Sequence, residues 1–323
     1  SGMEFSNAYG IAPAFASVTK TAFYRWATFY YEDGREIPGA GSARGRSIIA
    51  KTLLSEPVYA CLDQAPESLR ADLRASQPNF FLPFDRAGID PLTQRFPVTL
   101  RLEGTVRGTG GIRIAAEDCK SSVPGLYAAG DAATRELICG GFTGGGSHNA
   151  AWAISSGNWA GQGAARYAKG MGAAASCRNP RGAGRAALPA SGGTRTLDSE
   201  GVIRGVQAEV FPYDRNLFRT TRGLNDSLGR LNGLWQELQT SAGAGVRELI
   251  RGREAAAMVA TARWMYASAL QRRESRGMHK HLDYPEQDAV QQRRLWCGGL
   301  DDVWVRPERA ASAESTDQVA AAE

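Results

Sequence analysis

The residues best placed to do chemistry lie between Val123 and Gly161, in VPGLYAAGDAATRELICGGFTGGGSHNAAWAISSGNWAG. A short apolar run ends in Gly130-Asp131. Glycines follow at 140, 141, 144, 145 and 146, and a helix is expected to begin near Ser147, His148 and Asn149. Backbone N–H groups at a helix start carry partial positive charge and can face an anionic oxygen. Glycines let the main chain approach a ligand closely and adopt positive φ. Strand, acidic residue, glycine loop and helix N-terminus, in that order, suit a bound dinucleotide-type cofactor.

The elements that must position this stretch read as follows. Phe96 to Ile114 holds strand-like runs around a glycine turn, and Gly125 to Ala129 reads as the next strand. Asn149 to Tyr167 reads as a helix with small residues at Ala150, Ala153, Gly157 and Gly161, suited to close packing on a sheet or cofactor. Upstream, Ala16 to Tyr31 is rich in aromatics and Glu32-Asp33-Gly34-Arg35 reads as a turn. Arg46 to Leu54 reads as a helix, Val58 to Leu62 as a short strand, and Pro66 to Ala75 as a short helix with proline at its start. Residues 76–94 carry three prolines and read as loop. Residues 168–198 form a Gly/Ala/Ser/Arg stretch read as a linker. Beyond it, Leu224 to Thr240 and Val246 to Arg273 have helical spacing. Leu249, Ile250, Ala257, Val259, Trp264 and Ala269 are the expected buried side of the second helix. Trp235 is expected in the core, and Pro285 ends any helix that reaches it.

The chain has 323 residues, 43% hydrophobic and 22% charged, the balance of a globular protein with room for two or three domains. A net charge of +5 is mild, and the basic residues are scattered among acidic ones, so no nucleic-acid partner is expected. No run of about 18 apolar residues predicts a membrane span, and the first ten residues do not read as a signal peptide. The five cysteines are widely and irregularly spaced with no CxxC pair. They read as free thiols of a cytoplasmic protein, and no metal site is assigned within the chain.

Three ordered motifs then carry a resemblance. Gly110-Gly111-Ile112 precedes VPGLYAAGDAA. The glycine loop and GSHN helix start come next. Arg273-Glu274-Ser275-Arg276-Gly277-Met278-His279 follows, ahead of Asp283-Tyr284-Pro285-Glu286. This set resembles the flavoprotein subunits of the succinate dehydrogenase and fumarate reductase family, which includes L-aspartate oxidase and the adenylylsulfate reductase flavoprotein. The last motif is similar to that family's ESRGAH…DYPERD signature, and MEFSNAYG to its GMEFVQFHPTG border segment. The resemblance covers roughly residues 1–300. It implies a mixed α+β or α/β architecture: a capping, substrate-facing domain over 1–97, the remainder of a Rossmann-like FAD domain over 98–167, a flexible linker over 168–198, a C-terminal helical domain over 199–305 and a disordered tail over 306–323. The family's N-terminal GxGxxG, which holds the ADP part of FAD, is not found here. The chain is therefore expected to be the C-terminal portion of such a protein, with the missing FAD-binding half supplied by the same or a separate chain.

The resemblance also implies roles. Gly130, Asp131, Gly145, Gly146, Ser147, His148 and Asn149 would contact FAD. Asp131 would lie at the ribityl or pyrophosphate region, with an ordinary turn carboxylate as the competing reading. The 147–149 helix start would face the flavin N1–C2 carbonyl edge, with a plain capped helix as its alternative. Arg46 is the nearest candidate for the family's catalytic arginine, which clamps a carboxylate and relays a proton; a surface arginine at a helix start is the competing reading. The family's FHPTG histidine falls near Tyr9, its second substrate histidine near Val106, and its ANRLG arginine near Thr143-Gly144-Gly145. These departures argue against succinate or fumarate, and Tyr9 and Arg107 are carried as candidates for lining a different pocket. His279 and His281, two apart on an expected helix, would point away from each other and are read as structural. The leading expectation is an FAD-dependent oxidoreductase moving hydride between flavin N5 and a small organic substrate, with electrons exchanged with an iron–sulfur, ferredoxin-like carrier. The alternative is a noncatalytic subunit that completes the FAD site of a Rossmann-bearing chain.

Overall fold

The computed structural model describes residues 4–17, 21–42, 45–107, 110–134, 147–177, 179, 195–242, 245–277 and 279–308. The chain divides into two compact units, 1–182 and 183–323.

The first unit is built on an antiparallel sheet of four strands: β1 (Glu4–Pro13), β2 (Thr28–Tyr30), β3 (Val58–Cys61) and β4 (Phe96–Arg107), in the order β1-β4-β3-β2. Val58 lies opposite Val98, and Ile11 opposite Leu100. All four are buried, so alternate side chains supply one apolar face. Three helices accompany the sheet: α1 (Gly45–Thr52), α2 (Arg70–Ser76) and α3 (Pro78–Ala87). The segment 76–94, expected as loop, contains α3. Pro78 occupies the first helical turn, where its missing N–H costs nothing. Pro83 sits inside the helix, where proline costs about 3 kcal/mol. Phe80, Phe81 and Phe84 are all buried, and at about 1.5–3 kcal/mol each their burial outweighs that cost. Phe80 stacks on Phe23 at 4.6 Å between centroids, and Phe84 meets Phe96 edge-on at 4.7 Å. The helix stops at Gly88, whose φ of 67° makes a left-handed cap.

The expected strand at Gly125–Ala129 does not form. Only single bridges join Lys120 to Tyr127, Ile114 to Ser121 and Ile112 to Ala133. The apolar run is there, but among the described residues no neighbouring strand extends these contacts into a ladder. After residues 135–146, which lie outside the described residues, comes α4 (Ser147–Met171), longer at its C-terminal end than its sequence pattern predicts.

The second unit is helical: α5 (Ser199–Val210), α6 (Tyr213–Asn216), α7 (Thr221–Thr240) and α8 (Val246–Gln271), with two short parallel strands, β5 (Arg195–Thr196) and β6 (Ser241–Ala242). Side chains cap two of the helices: Asp198 accepts from Gly201 N–H at 2.8 Å and Thr220 from Gly223 N–H at 3.0 Å. Val202, Val206, Leu224, Leu231, Leu238, Val259, Met265 and Tyr266 are buried between α5, α7 and α8. Trp235 is buried as expected. The expected face of α8 is partly corrected. Val259 and Ala269 are buried and Trp264 is half-buried, donating to Gly299 O at 2.7 Å, but Ile250 is 54% exposed and Ala257 faces out. The inward stripe runs instead through Ala255, Ala256, Ala262 and Tyr266. With so many alanines, hydropathy carries little phase information along this helix. The unit closes with a hairpin that the sequence reading missed, β7 (Leu295–Gly298) and β8 (Trp304–Pro307).

Candidate functional site

The centre of the expected cofactor cradle is the turn at Gly130-Asp131. Gly130 has φ of 58°, a left-handed conformation glycine adopts without penalty. Its N–H donates to Ser156 Oγ at 2.9 Å, and its carbonyl accepts from Trp152 Nε1 at 2.9 Å. Both partners sit one turn apart on α4 and grip the two sides of one peptide. A Cβ on Gly130 would lie 3.8 Å from Ala153 Cβ, so the turn rests directly on this helix. Asp131 follows, exposed.

The Gly110-Gly111-Ile112 motif packs against the same turn. Ile112 N–H donates to Ala132 O at 2.8 Å, and Thr134 N–H returns to Ile112 O at 3.0 Å. A Cβ on Gly111 would come within 2.6 Å of Ala133 C and 2.7 Å of Ala132 O. Only glycine permits that approach. The two halves of the first motif thus meet at one place, with the turn's main chain held by the Trp152 and Ser156 side chains of α4. Beside them, Ala150, Ala153, Gly157 and Gly161 all lie exposed on α4, and among the described residues nothing comes within 4 Å of a Cβ placed on Gly157 or Gly161. Gly145 and Gly146 lie outside the described residues. Ser147, His148 and Asn149 form the first turn of α4.

In the sheet region, Arg46 is the second residue of α1, and its Nη1 donates to the backbone carbonyl of Tyr9 at 3.3 Å. The structure therefore brings two of the candidate substrate residues together. The contact runs through the main chain of Tyr9, whose side chain is only 3% exposed. Arg107 closes β4 opposite Glu4. Ser156 and Trp152, the residues that fix Gly130, were missed by sequence reasoning. Their i, i+4 spacing on an expected helix was the available signal.

The third motif folds in the second unit as an irregular loop, not a helix, so the expected helical divergence of His279 and His281 does not apply. Their rings lie 6.1 Å apart. Glu274 is fully buried. Arg272 Nη1 and Arg276 Nε donate to its Oε1 at 2.8 and 3.0 Å, while Arg276 Nη2 and Asp288 N–H donate to Oε2 at 3.0 and 2.8 Å. Burial pushes the carboxyl pKa up. The bonds from Arg276, Asp288 N–H and Arg272 outweigh this and hold it down to about 2. His279 is clamped between the fully buried Arg219, whose Nη1 lies 3.0 Å from Nδ1, and the Arg272 carbonyl, 3.0 Å from Nε2. Arg219 can only donate, so Nδ1 accepts and Nε2 carries the proton. Burial and the neighbouring Arg219 charge push the His279 pKa down to about 3. His281 is buried with neither ring nitrogen hydrogen-bonded. This motif is a structural lock: it ties the end of α8 to the 281–288 segment and to Arg219, which sequence reasoning also missed.

Residues 209–306 match the family described as fumarate reductase flavoprotein C-term, which spans this lock and the helices carrying it. Over these residues the chain is similar to that flavoprotein family. Solved structures extend the likeness in fold to nearly the whole chain. An Escherichia coli quinol fumarate reductase FrdA superposes with a TM-score of 0.64 at 17% identity, covering 94% of this chain and 58% of its own. Mycobacterium smegmatis Sdh1 in complex with UQ1 gives 0.62 at 21% identity, covering 95% and 54%. Adenylylsulfate reductase from Archaeoglobus fulgidus gives 0.61 at 14% identity, covering 94% and 59%. The chain thus spans less than two thirds of the length of these flavoproteins. No curated protein matches it. Fumarate reductase, succinate dehydrogenase and adenylylsulfate reductase flavoproteins bind FAD. Among the described residues, no helix is long and apolar enough to cross a membrane.

Proposed function

We propose that this chain supplies the flavin-facing half of an FAD-dependent oxidoreductase acting on a small organic substrate other than succinate or fumarate. One observation carries the reading: the Gly130 turn, pinned by Trp152 and Ser156 and packed on Gly111, presents Asp131 beside an uncovered stripe of small residues on α4. The residues fit the group. A positive-φ turn and small residues at Ala150, Ala153, Gly157 and Gly161, with Ile154 exposed beside them, leave room for a flat ring system, and the start of the 25-residue α4 supplies partial positive charge for an anionic edge. When bound, FAD supplies two-electron chemistry at flavin N5. Around it, Gly130, Asp131, Gly145, Gly146, Ser147, His148 and Asn149 would bind and orient the cofactor. Arg46, its guanidinium braced on the Tyr9 carbonyl, would bind an anionic substrate group, with Arg107 and Tyr9 shaping the pocket. The ADP portion would be held by a Rossmann-bearing half in the same or a separate chain, and the incomplete bridges at 112–133 fit a segment whose sheet partners lie there. The free thiols of Cys61, Cys119, Cys177 and Cys297 fit a cytoplasmic setting, and an iron–sulfur, ferredoxin-like protein would exchange electrons with the flavin.

The test is reconstitution. FAD added to the full chain, alone and with a Rossmann-bearing half, is expected to quench Trp152 fluorescence and to show the yellow absorption of bound oxidised flavin. Replacing Ser156 with Ala should weaken binding by freeing the Gly130 turn. Absence of flavin binding in both arms would overturn the reading.

A further inference from the structure

The second unit contains a cavity of about 360 Å³ that none of the chemistry above uses. Gln271, Arg272, Arg273, Gln291, Arg293, Leu295 and Pro307 line it. Three of these seven side chains carry guanidinium groups, and no carboxylate is among them. The neighbouring Glu274 and Asp288 are already engaged. Glu274 is held by Arg272 and Arg276, and Asp288 accepts from Val290 N–H and from Gln291 Nε2. Among the described residues neither Arg273 nor Arg293 forms an ion pair.

The backbone under these two arginines is fixed. Arg272 Nη1 donates to Gln291 O at 2.9 Å and Nη2 to Arg293 O at 2.8 Å. Gln291 closes the opposite side: its Oε1 accepts from Arg273 N–H at 2.9 Å and its Nε2 donates to Arg273 O at 3.0 Å. Residues 273 and 293 are therefore anchored on one frame, and each carries a guanidinium with unused donors. Solvated arginines on a convex surface have neither a cavity nor such a frame. Both side chains are exposed, and two forks of fixed backbone origin match an oxyanion pair, so the ordering cost on binding is confined to the side chains. Leu295 and Pro307 add an apolar wall suited to a short carbon body. Arg272 also offsets the negative end of α8 at this point.

We propose that this cavity binds a small metabolite carrying two or more anionic oxygens, of the dicarboxylate or phosphate class, with Arg273 and Arg293 as its anchoring residues. The site lies within the second unit and does not rest on the reading of the flavin-facing turn. Calorimetric titration of the full chain with malonate in one arm and inorganic pyrophosphate in the other identifies the source of the oxyanions. Saturable binding of either, weakening as salt rises, is expected. R273Q and R293Q should each weaken it about tenfold or more. R273K and R293K, which keep charge but lose the fork, should also weaken it. R306Q removes a guanidinium that lies over Trp304 at 4.6 Å, outside the cavity, and should bind as the parent does. Circular dichroism identical to the parent's keeps a folding defect from being read as lost binding. The proposal is overturned if neither anion saturates, if the folded glutamine variants bind like the parent, or if R306Q loses as much as they do.

Discussion

Glu274→Gln tests whether the loop after α8 is locked by charge or merely packed. The carboxylate is fully buried and receives four hydrogen bonds from three residues, Arg272, Arg276 and the Asp288 amide. Its pKa falls from an ordinary 4.5 to about 2. At about 1.4 kcal/mol per unit, this difference corresponds to roughly 3 kcal/mol of stability from the ionised form. Truncating one partner of a buried ion pair costs a similar ~3–5 kcal/mol, so the two routes agree. Glutamine preserves the shape but turns one acceptor into a donor facing a guanidinium or the Asp288 N–H. The sign follows from linkage: a depressed carboxyl pKa stabilises fully above the unfolded value near 4.5, and the contribution is lost as pH falls through about 2. Hydrogen exchange of the Asp288 amide reads the lock directly, and urea unfolding followed by the tryptophans of the second unit reads its stability. The variant should lose about 3 kcal/mol at neutral pH, and the gap to the parent should close between about pH 4.5 and 2. A neutral-pH gap under about 0.5 kcal/mol, or a gap that does not close in acid, would refute the reasoning.

Two further outcomes follow from the same physics. His279 is held neutral by burial and by Arg219, so its folded pKa of about 3 lies below its ordinary 6.5; its contribution is present above that ordinary value and drains away as pH falls toward about 3. An NMR titration should show its ring unprotonated at pH 5, and a midpoint near 6.5 would contradict the clamp. Gly111→Ala places a Cβ 2.6–2.7 Å from the main chain of Ala132, Ala133 and Thr134; it should cost about 1–3 kcal/mol in thermal unfolding of the first unit and displace the Gly130 turn, and a variant as stable as the parent would show that the turn is not packed as described.

What could be read from the sequence tracks how strongly local residues determine local structure. Regular amphipathic or capped segments such as α1, α7 and α8 were located nearly to the residue. α3 was missed because its prolines signal loop, and only the tertiary burial of Phe80, Phe81 and Phe84 outweighs them. The strand expected at Gly125–Ala129 failed for the opposite reason: apolar residues were present, but a strand also needs a neighbour, which no local pattern encodes. The β7–β8 hairpin was missed because its outer face carries Trp296, Trp304 and Arg306 rather than an alternation of apolar and polar residues.

The candidate site divides along the same line. Its cofactor side is made by main chain: the positive φ of Gly130, the missing Cβ of Gly111, and peptide groups gripped by Ser156 and Trp152. A few glycines dictate that geometry, so it is legible in a chain sharing only 14–21% identity with the solved flavoproteins it resembles in fold. Its substrate side depends on side chains, and there the motif positions diverge. Where the resemblance places a histidine, this chain has Tyr9, with its ring buried and its carbonyl bracing Arg46. A carbonyl can orient the guanidinium but cannot donate to a substrate as an imidazole does. Under the proposed reading, the same frame would keep a positive charge for an anionic group while losing the donor that a histidine would supply.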